Sequence, residues 1–348
     1  MLEHGGRIAR AVAHYGIPRE QWLDLSTGVS PHAWPVPPIP ADAWHRLPED
    51  EDDLLDAARA YYGCEHLLAV AGTQAAIQAL PKLRPRCRVG VLAPGYAEHA
   101  HAWRREGHDV ALLPMADLLA RAEDFDVRVF ISPNNPTGER IPAGDHPVGA
   151  HPVSESFSRS ATGPVAPGER RRSQGELLHE RRWDIVDEAF ADMQPYAFLQ
   201  PREGLILLRS IGKFFGMAGA RAGFVAAWPA LLDALREQLG PWTLTGPTRF
   251  AVTQALRDTA WHRSARDRLH SESAALAATL ARSGLPPSGG TDLFQYCLHP
   301  DATRLHEALA RRGILTRLFT DPPALRLGLP PNDASLARLG SALRDILP

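Results

Sequence analysis

A short apolar run, Leu205-Ile-Leu-Leu208, is followed by Arg209-Ser-Ile-Gly-Lys213 and then by Phe214-Phe-Gly-Met-Ala-Gly-Ala-Arg-Ala-Gly223. The run reads as a buried strand, and the chain beyond it must carry a hydroxyl, a glycine and a lysine within four residues. Flanked by Gly212 and by Phe214 and Phe215, Lys213 sits on turning backbone against apolar surface. That setting disfavours the ammonium and frees a nucleophilic amine able to form a Schiff base. The small residues Ala218, Gly219 and Ala220 let backbone pack closely ahead of Arg221, so Ser210 and Arg221 can converge on one anion. Taken alone, Lys213 reads equally well as a solvated lysine in a glycine-rich loop.

Other strand ends carry matching chemistry. Leu67-Leu-Ala-Val-Ala-Gly72 leads into a helix opening at Thr73-Gln74, which is either an anion site or an ordinary helix cap. Arg88 to Ala93 reads as a buried strand ending in Pro94-Gly-Tyr96. Val127 to Ile131 is another and runs into Ser132-Pro-Asn-Asn-Pro-Thr-Gly138, which puts an amide side chain where α/β sheets bind ligands. In Asp184-Ile-Val-Asp-Glu-Ala-Phe190, Asp187 follows two apolar residues at a strand end, a costly place for a carboxylate unless it faces a cation. Later, Ile314 to Phe319 and Ala324 to Leu329 read as short strands interrupted by Arg317 and Arg326.

These motifs, in this order, resemble the fold type I pyridoxal-phosphate enzymes of the aspartate aminotransferase superfamily. The resemblance implies an α/β fold: a large cofactor-binding domain with a mostly parallel seven-stranded sheet between helices, and a smaller α+β C-terminal domain. It implies that Lys213 binds the cofactor and acts in catalysis, that Asp187 holds the pyridine proton, and that Tyr96 stacks on the ring. Asn135 meets the ring oxygen, while Gly72, Thr73, Gln74, Ser210 and Arg221 hold the phosphate. It further implies that Arg326 grips the substrate carboxylate, with Arg317 beside it, and cis peptides before Pro136 and Pro94. For Tyr96 a core role, and for Arg317 edge-strand solubility, remain alternative readings. Phe190 stands where many relatives have a tyrosine, leaving Asn135 alone on the ring oxygen, and Leu47-Pro48 replaces a Tyr-Pro pair that reaches a partner subunit.

Whole-chain likeness is greatest to the branch of that superfamily that decarboxylates L-threonine O-3-phosphate in cobalamin biosynthesis. It rests on His4-Gly-Gly6, Gly72 to Gln78, Pro94 to His99, Asp187 to Asp192, Lys213 to Gly216 and Leu239 to Trp242. The substrate expected is a phosphorylated amino acid, with Arg317 and His4 as candidate cations for its phosphate and Asn135 also among the substrate-binding residues. Alternatives are a histidinol-phosphate aminotransferase and a pyridoxal-phosphate fold kept as a binding module. The expected division is an arm (1–44), a large domain (45–240) and a small domain (241–348). The stretch 143–182, rich in Pro, Gly, Ser and Arg, is expected to be an irregular or disordered insertion.

Length and charge agree with this reading. At 348 residues the chain can bury a large core, and a net charge of −2 gives no reason to expect nucleic acid or membrane as partner. No apolar run is long enough to span a bilayer and no signal-peptide core is present. Cys64, Cys87 and Cys297 are odd in number and far apart, without metal-ligand spacing, so no metal site and a cytoplasmic location are expected. By resemblance the enzyme is a homodimer.

Overall fold

The structure, a computed structural model, describes residues 4–142, 181–194 and 202–347. The insertion expected over 143–182 lies outside the described residues apart from Arg181 and Arg182. Thirteen described strands fall into three sheets. In chain order they are β1 (Leu23–Asp24), β2 (Leu67–Val70), β3 (Arg88–Leu92), β4 (Asp109–Leu113), β5 (Val127–Ile131), β6 (Trp183–Asp187) and β7 (Leu205–Ser210). There follow β8 (Gly223–Ala226), β9 (Gly289–Thr291), β10 (Phe294–Leu298), β11 (Ile314–Leu315), β12 (Arg317–Thr320) and β13 (Pro323–Gly328).

The central sheet has seven strands in the order β2-β8-β7-β6-β5-β3-β4, as the family resemblance implies. Only β8 runs against its neighbours; β7, β6, β5, β3 and β4 pair in parallel. Its inner strands are almost wholly buried, which is why they read as continuous apolar runs rather than alternating ones. Alternate residues feed two cores. Val127, Val129, Trp183, Ile185, Ile206 and Leu208 join helices Thr73–Ala79, Glu98–Arg105 and Pro229–Leu239 on one face. Phe130, Val186, Leu207 and Phe224 join helices Leu54–Tyr62 and Gly246–Arg257 on the other. An ionic cross-strand pair in the middle, Arg128 opposite Asp184, is closed by two hydrogen bonds of 2.7 and 2.9 Å, so neither buried charge is left alone.

Parallel pairing has a direct consequence for the site. Because β2, β3, β5, β6 and β7 point the same way, the segments that follow them emerge along one edge of the sheet, where open α/β sheets take ligands.

A second, antiparallel sheet in the order β12-β13-β10-β9 packs with helices Thr259–Arg282, Ala302–Ala310 and Asp333–Ile346. It touches the central-sheet loops through glycines: a Cβ on Gly138 would lie 2.0 Å from the Gly290 carbonyl oxygen, and one on Gly289 2.2 Å from that of Thr137. The N-terminal arm forms the third sheet. Its β1 pairs in parallel with β11, Leu23 opposite Ile314 and Asp24 opposite Leu315. Further along, Ser30 and Trp34 donate backbone hydrogen bonds to the carbonyls of Lys213 and Phe215, at 3.0 and 2.9 Å. The proline-rich stretch Pro31 to Pro40 has no regular structure, as its composition requires.

Candidate active site

A cleft of about 830 Å³ opens at that edge, and Lys213, Asn135, Tyr96, Arg326, Arg317 and His4 all line it. The two turns of the Lys213 loop that sequence singles out have clear causes. Gly216 adopts a φ of 65° and passes so close to the arm that a Cβ would lie 2.6 Å from Ala33 Cα. Phe214 and Phe215 turn into the core, where Phe215 stacks on Trp261 at 5.6 Å. Lys213 is thereby anchored half-buried, with its Nζ 5.5 Å from the centre of the Phe190 ring. Burial, followed by the Arg326 charge, pushes the Lys213 amine down to about 8, against the pull of Asp187 in the other direction.

Asp187 closes β6. Its Oδ2 lies 3.0 Å from His99 Nε2 and its Oδ1 accepts the Ala189 N–H at 3.0 Å, so the buried carboxylate is held from two sides. His99 had no assigned role in the sequence reading. It lies on the helix that follows the Tyr96 turn, three residues after the tyrosine, and a histidine on a helix reads as ordinary until β6 is placed beside it. The Tyr96 hydroxyl donates to Gln74 Oε1 at 3.2 Å, and Gln74 Nε2 donates in turn to Glu98 Oε2 at 3.1 Å. Glu98 Oε1 accepts from His4 Nε2 at 2.8 Å, which ties the arm to this wall. Burial, then Glu98 and Asp187, push the Tyr96 phenol up to about 12.

On the neighbouring strands Ser210, Gly223 and Val70 stand in register, so Ser210, Arg221 and the turn Gly72-Thr73-Gln74 meet at one place. The approach is close: a Cβ on Gly72, whose φ is +71°, would lie 2.7 Å from Arg221 Nη2. Arg221 itself is left-handed, with a φ of 52°. A residue without a side chain, two hydroxyls and a guanidinium suit a phosphate monoester, and the buried amine and carboxylate a short distance away suit the aldehyde and ring nitrogen of the same molecule. The residues present therefore fit pyridoxal phosphate.

Arg326 is buried at the cleft wall. It donates to Asn135 Oδ1 and, at 2.9 Å, to the Ser26 carbonyl, while its Nε has no partner. An unpaired donor on a buried guanidinium awaits an acceptor from the cleft. The Ala93-Pro94 and Asn135-Pro136 peptides are cis, as are Ser132-Pro133 and Asp321-Pro322. Among the described residues no cluster of metal-ligating side chains occurs, and no helix is long and apolar enough to cross a membrane.

With the sheet and the site in view, the chain belongs to the class I and II aminotransferase family, whose sequence model matches residues 160–343. Among its relatives is a threonine-phosphate decarboxylase from Pseudomonas aeruginosa, 48% identical over 99% of this chain and 97% of that protein. A threonine-phosphate decarboxylase from a Sinorhizobium species is 37% identical over 98% of this chain and 97% of its own. Among solved structures, the histidinol-phosphate aminotransferase of Sinorhizobium meliloti in complex with pyridoxal 5'-phosphate superposes with a TM-score of 0.74. That match covers 99% of this chain and 95% of the other; at 17% identity it shows the shared fold.

Proposed function

We propose that this chain is a pyridoxal-phosphate-dependent carboxy-lyase that converts L-threonine O-3-phosphate into (R)-1-amino-2-propanol O-2-phosphate and CO2, a step of cobalamin biosynthesis. The observation that carries the choice of reaction is the 48% identity, over nearly the whole chain, to a protein of that name. The cleft supports it with the groups such a reaction needs.

When bound, the cofactor supplies an electron-withdrawing ring that takes up the electron pair released as the bond from Cα to the carboxylate breaks. Every other task falls to side chains of this protein. Arg326, with its unpaired Nε, grips the carboxylate and together with Asn135 sets the direction of the breaking bond. Asp187, fixed by His99, keeps the ring nitrogen protonated. Lys213, whose amine titrates near 8, is placed both to take the aldehyde at rest and to deliver the proton that replaces CO2 on Cα. Phe190 packs edge-on against Phe294 and offers no hydroxyl, so Asn135 alone meets the ring oxygen.

Gas release settles the reaction. Incubating holoenzyme with L-threonine O-3-phosphate is expected to yield CO2 without consumption of a keto acid. Glutamate formation from histidinol phosphate and 2-oxoglutarate, with no CO2 from threonine phosphate, overturns the assignment in favour of a transaminase. Failure to take up the cofactor at all leaves a binding module.

A cytoplasmic homodimer and the division into arm (1–44), large domain (45–240) and small domain (241–348) belong to the same proposal. Separate central and C-terminal sheets support the division. Trp44, Leu47 and Trp242, each more than half exposed, support a covering partner chain.

A further inference from the structure

The two groups at the centre of the chemistry lie on neighbouring strands whose register runs out early. β6 and β7 pair as far as Asp187 opposite Leu208, and the segments beyond carry Phe190 and Lys213 off the sheet separately. A side chain from a third element touches both segments. Arg266, half-buried on helix Thr259–Arg282, donates from Nε to the carbonyl of Asp192, two residues after Phe190, at 2.8 Å. Its guanidinium carbon lies 5.1 Å from the ring centre of Phe214, the residue next to Lys213. Its Nη2 donates to the Tyr61 hydroxyl at 3.3 Å, and that hydroxyl donates to Asp192 Oδ1 at 3.0 Å. Tyr61 in turn packs on Phe215, with ring centres 5.6 Å apart.

Arg266, Tyr61 and Asp192 stand outside the cleft wall, so none of them meets a ligand there. Asp192 is buried, and burial pushes its carboxyl up to about 6, with the Tyr61 hydrogen bond and the Arg209 and Arg266 charges pulling the other way. Below an ordinary value of 3.8 the group is protonated in folded and unfolded chains alike, and between 3.8 and 6 stability falls as pH rises. Above 6 both are ionised and the full cost of burying the charge bears on the fold. At neutral pH the carboxylate therefore costs stability; what it supplies is a fixed geometry. Burial, then the Asp192 charge, push the Tyr61 phenol up as well, so it stays a donor. A buried polar network of this kind fixes one arrangement of the segments it joins.

We propose that Arg266, with Tyr61 and Asp192, acts as a positioning residue that holds the Lys213 amine in register with Asp187 and Phe190. The guanidinium spans the two segments from behind, one through a carbonyl and the other through a ring face, and Tyr61 closes the third side. Loosening it lets the Lys213 loop drift from Phe190 and admits water to the amine. The assignment rests on Lys213 and Asp187 being the working groups of the reaction proposed above, and it holds whichever bond the enzyme breaks.

The chain suits a direct test, because Lys82 and Lys213 are its two lysines and Lys82 is exposed. In cofactor-free protein the pH dependence of modification by trinitrobenzenesulfonate, read by peptide mass, gives the Lys213 titration with Lys82 as reference. In holoenzyme, kcat and KM for CO2 release from L-threonine O-3-phosphate are measured in parallel. Arg266→Gln and Tyr61→Phe are each expected to move Lys213 up from about 8 to roughly 9 or above, and to lower kcat about tenfold with KM within about twofold. Tyr61→Phe changes no charge at neutral pH, so its shift cannot come from a lost cation, and it decides the matter if Arg266→Gln does not fold. Arg266→Lys recovers part of both effects. Leu343→Ala, a cavity in the core under the last helix, lowers the melting temperature without moving Lys213. Lys213 unmoved in both Arg266→Gln and Tyr61→Phe overturns the proposal, as does an equal shift in Leu343→Ala or a loss confined to KM. Should Lys213 move as expected in a protein whose wild type releases no CO2, the positioning role stands and the decarboxylase reading falls.

Discussion

Lys213 holds its amine at about 8 in the folded protein against an ordinary value of 10.5. Below pH 8 both folded and unfolded chains are protonated there, and the full cost of burying the ammonium bears on the fold. Between 8 and 10.5 the unfolded chain binds more protons, so stability rises with pH, and above 10.5 the cost has gone. Cofactor-free Lys213→Met is therefore expected to be more stable than wild type at pH 7 by about 1–3 kcal/mol, with the gain fading as pH rises through that window. Thermal melts at pH 7 and 10.5 check this; a variant less stable at both refutes it. Arg221 makes the opposite case. Its left-handed backbone costs about 1–3 kcal/mol, which asparagine tolerates better. Arg221→Asn should melt no lower than wild type yet bind pyridoxal phosphate roughly tenfold to a hundredfold more weakly, measured by cofactor titration. Asp187 stood out in sequence as a carboxylate right after Ile185-Val186, Lys213 by its Gly212 and Phe214 flanks, Asn135 by its turn and Arg221 by the small residues before it. His99 did not, because its meaning depends on β6 lying beside its helix.

At the level of elements, the loop after β5 is where the two larger sheets lean on each other. Gly138 has a φ of +78° and no room for a Cβ against Gly290. Gly138→Ala must shift backbone on one side, and Asn135 lies in the same turn, hydrogen-bonded to Arg326 of the second sheet. A loss of about 2–4 kcal/mol in stability is expected, together with a raised KM for the substrate; denaturant titration and steady-state rates measure both. Replacing His99 with leucine removes one of two partners of the buried Asp187 and should cost about 1–3 kcal/mol in activation free energy, read as a tenfold or greater drop in kcat. An unchanged kcat counts against the role given to that helix. The strands of the central sheet other than β8 were legible from their apolar runs; β8, which follows Arg221, was not read as a strand. The order of the strands was not legible, since inserting β8 between β2 and β7 pairs residues far apart in the chain and leaves no periodicity to read.

For the molecule as a whole, the exposed Trp44, Leu47 and Trp242 are expected to be covered in solution. Light scattering on the holoenzyme should report twice the 38.1 kDa of the chain. Trp44→Asp combined with Leu47→Asp should shift it toward a single chain, and a wild type that stays at 38.1 kDa removes the dimer from the proposal. The pairing of β1 with β11 was the least legible feature in sequence. It joins two-residue strands far apart in the chain, and such a partnership leaves no periodicity to read. That pairing also governs the order in which the protein can mature on the ribosome. Leu23 is made long before its partner Ile314. A nascent chain halted before β11 has no seat for the arm's strand, so the β1–β11 pair closes only after Ile314 and Leu315 have been made.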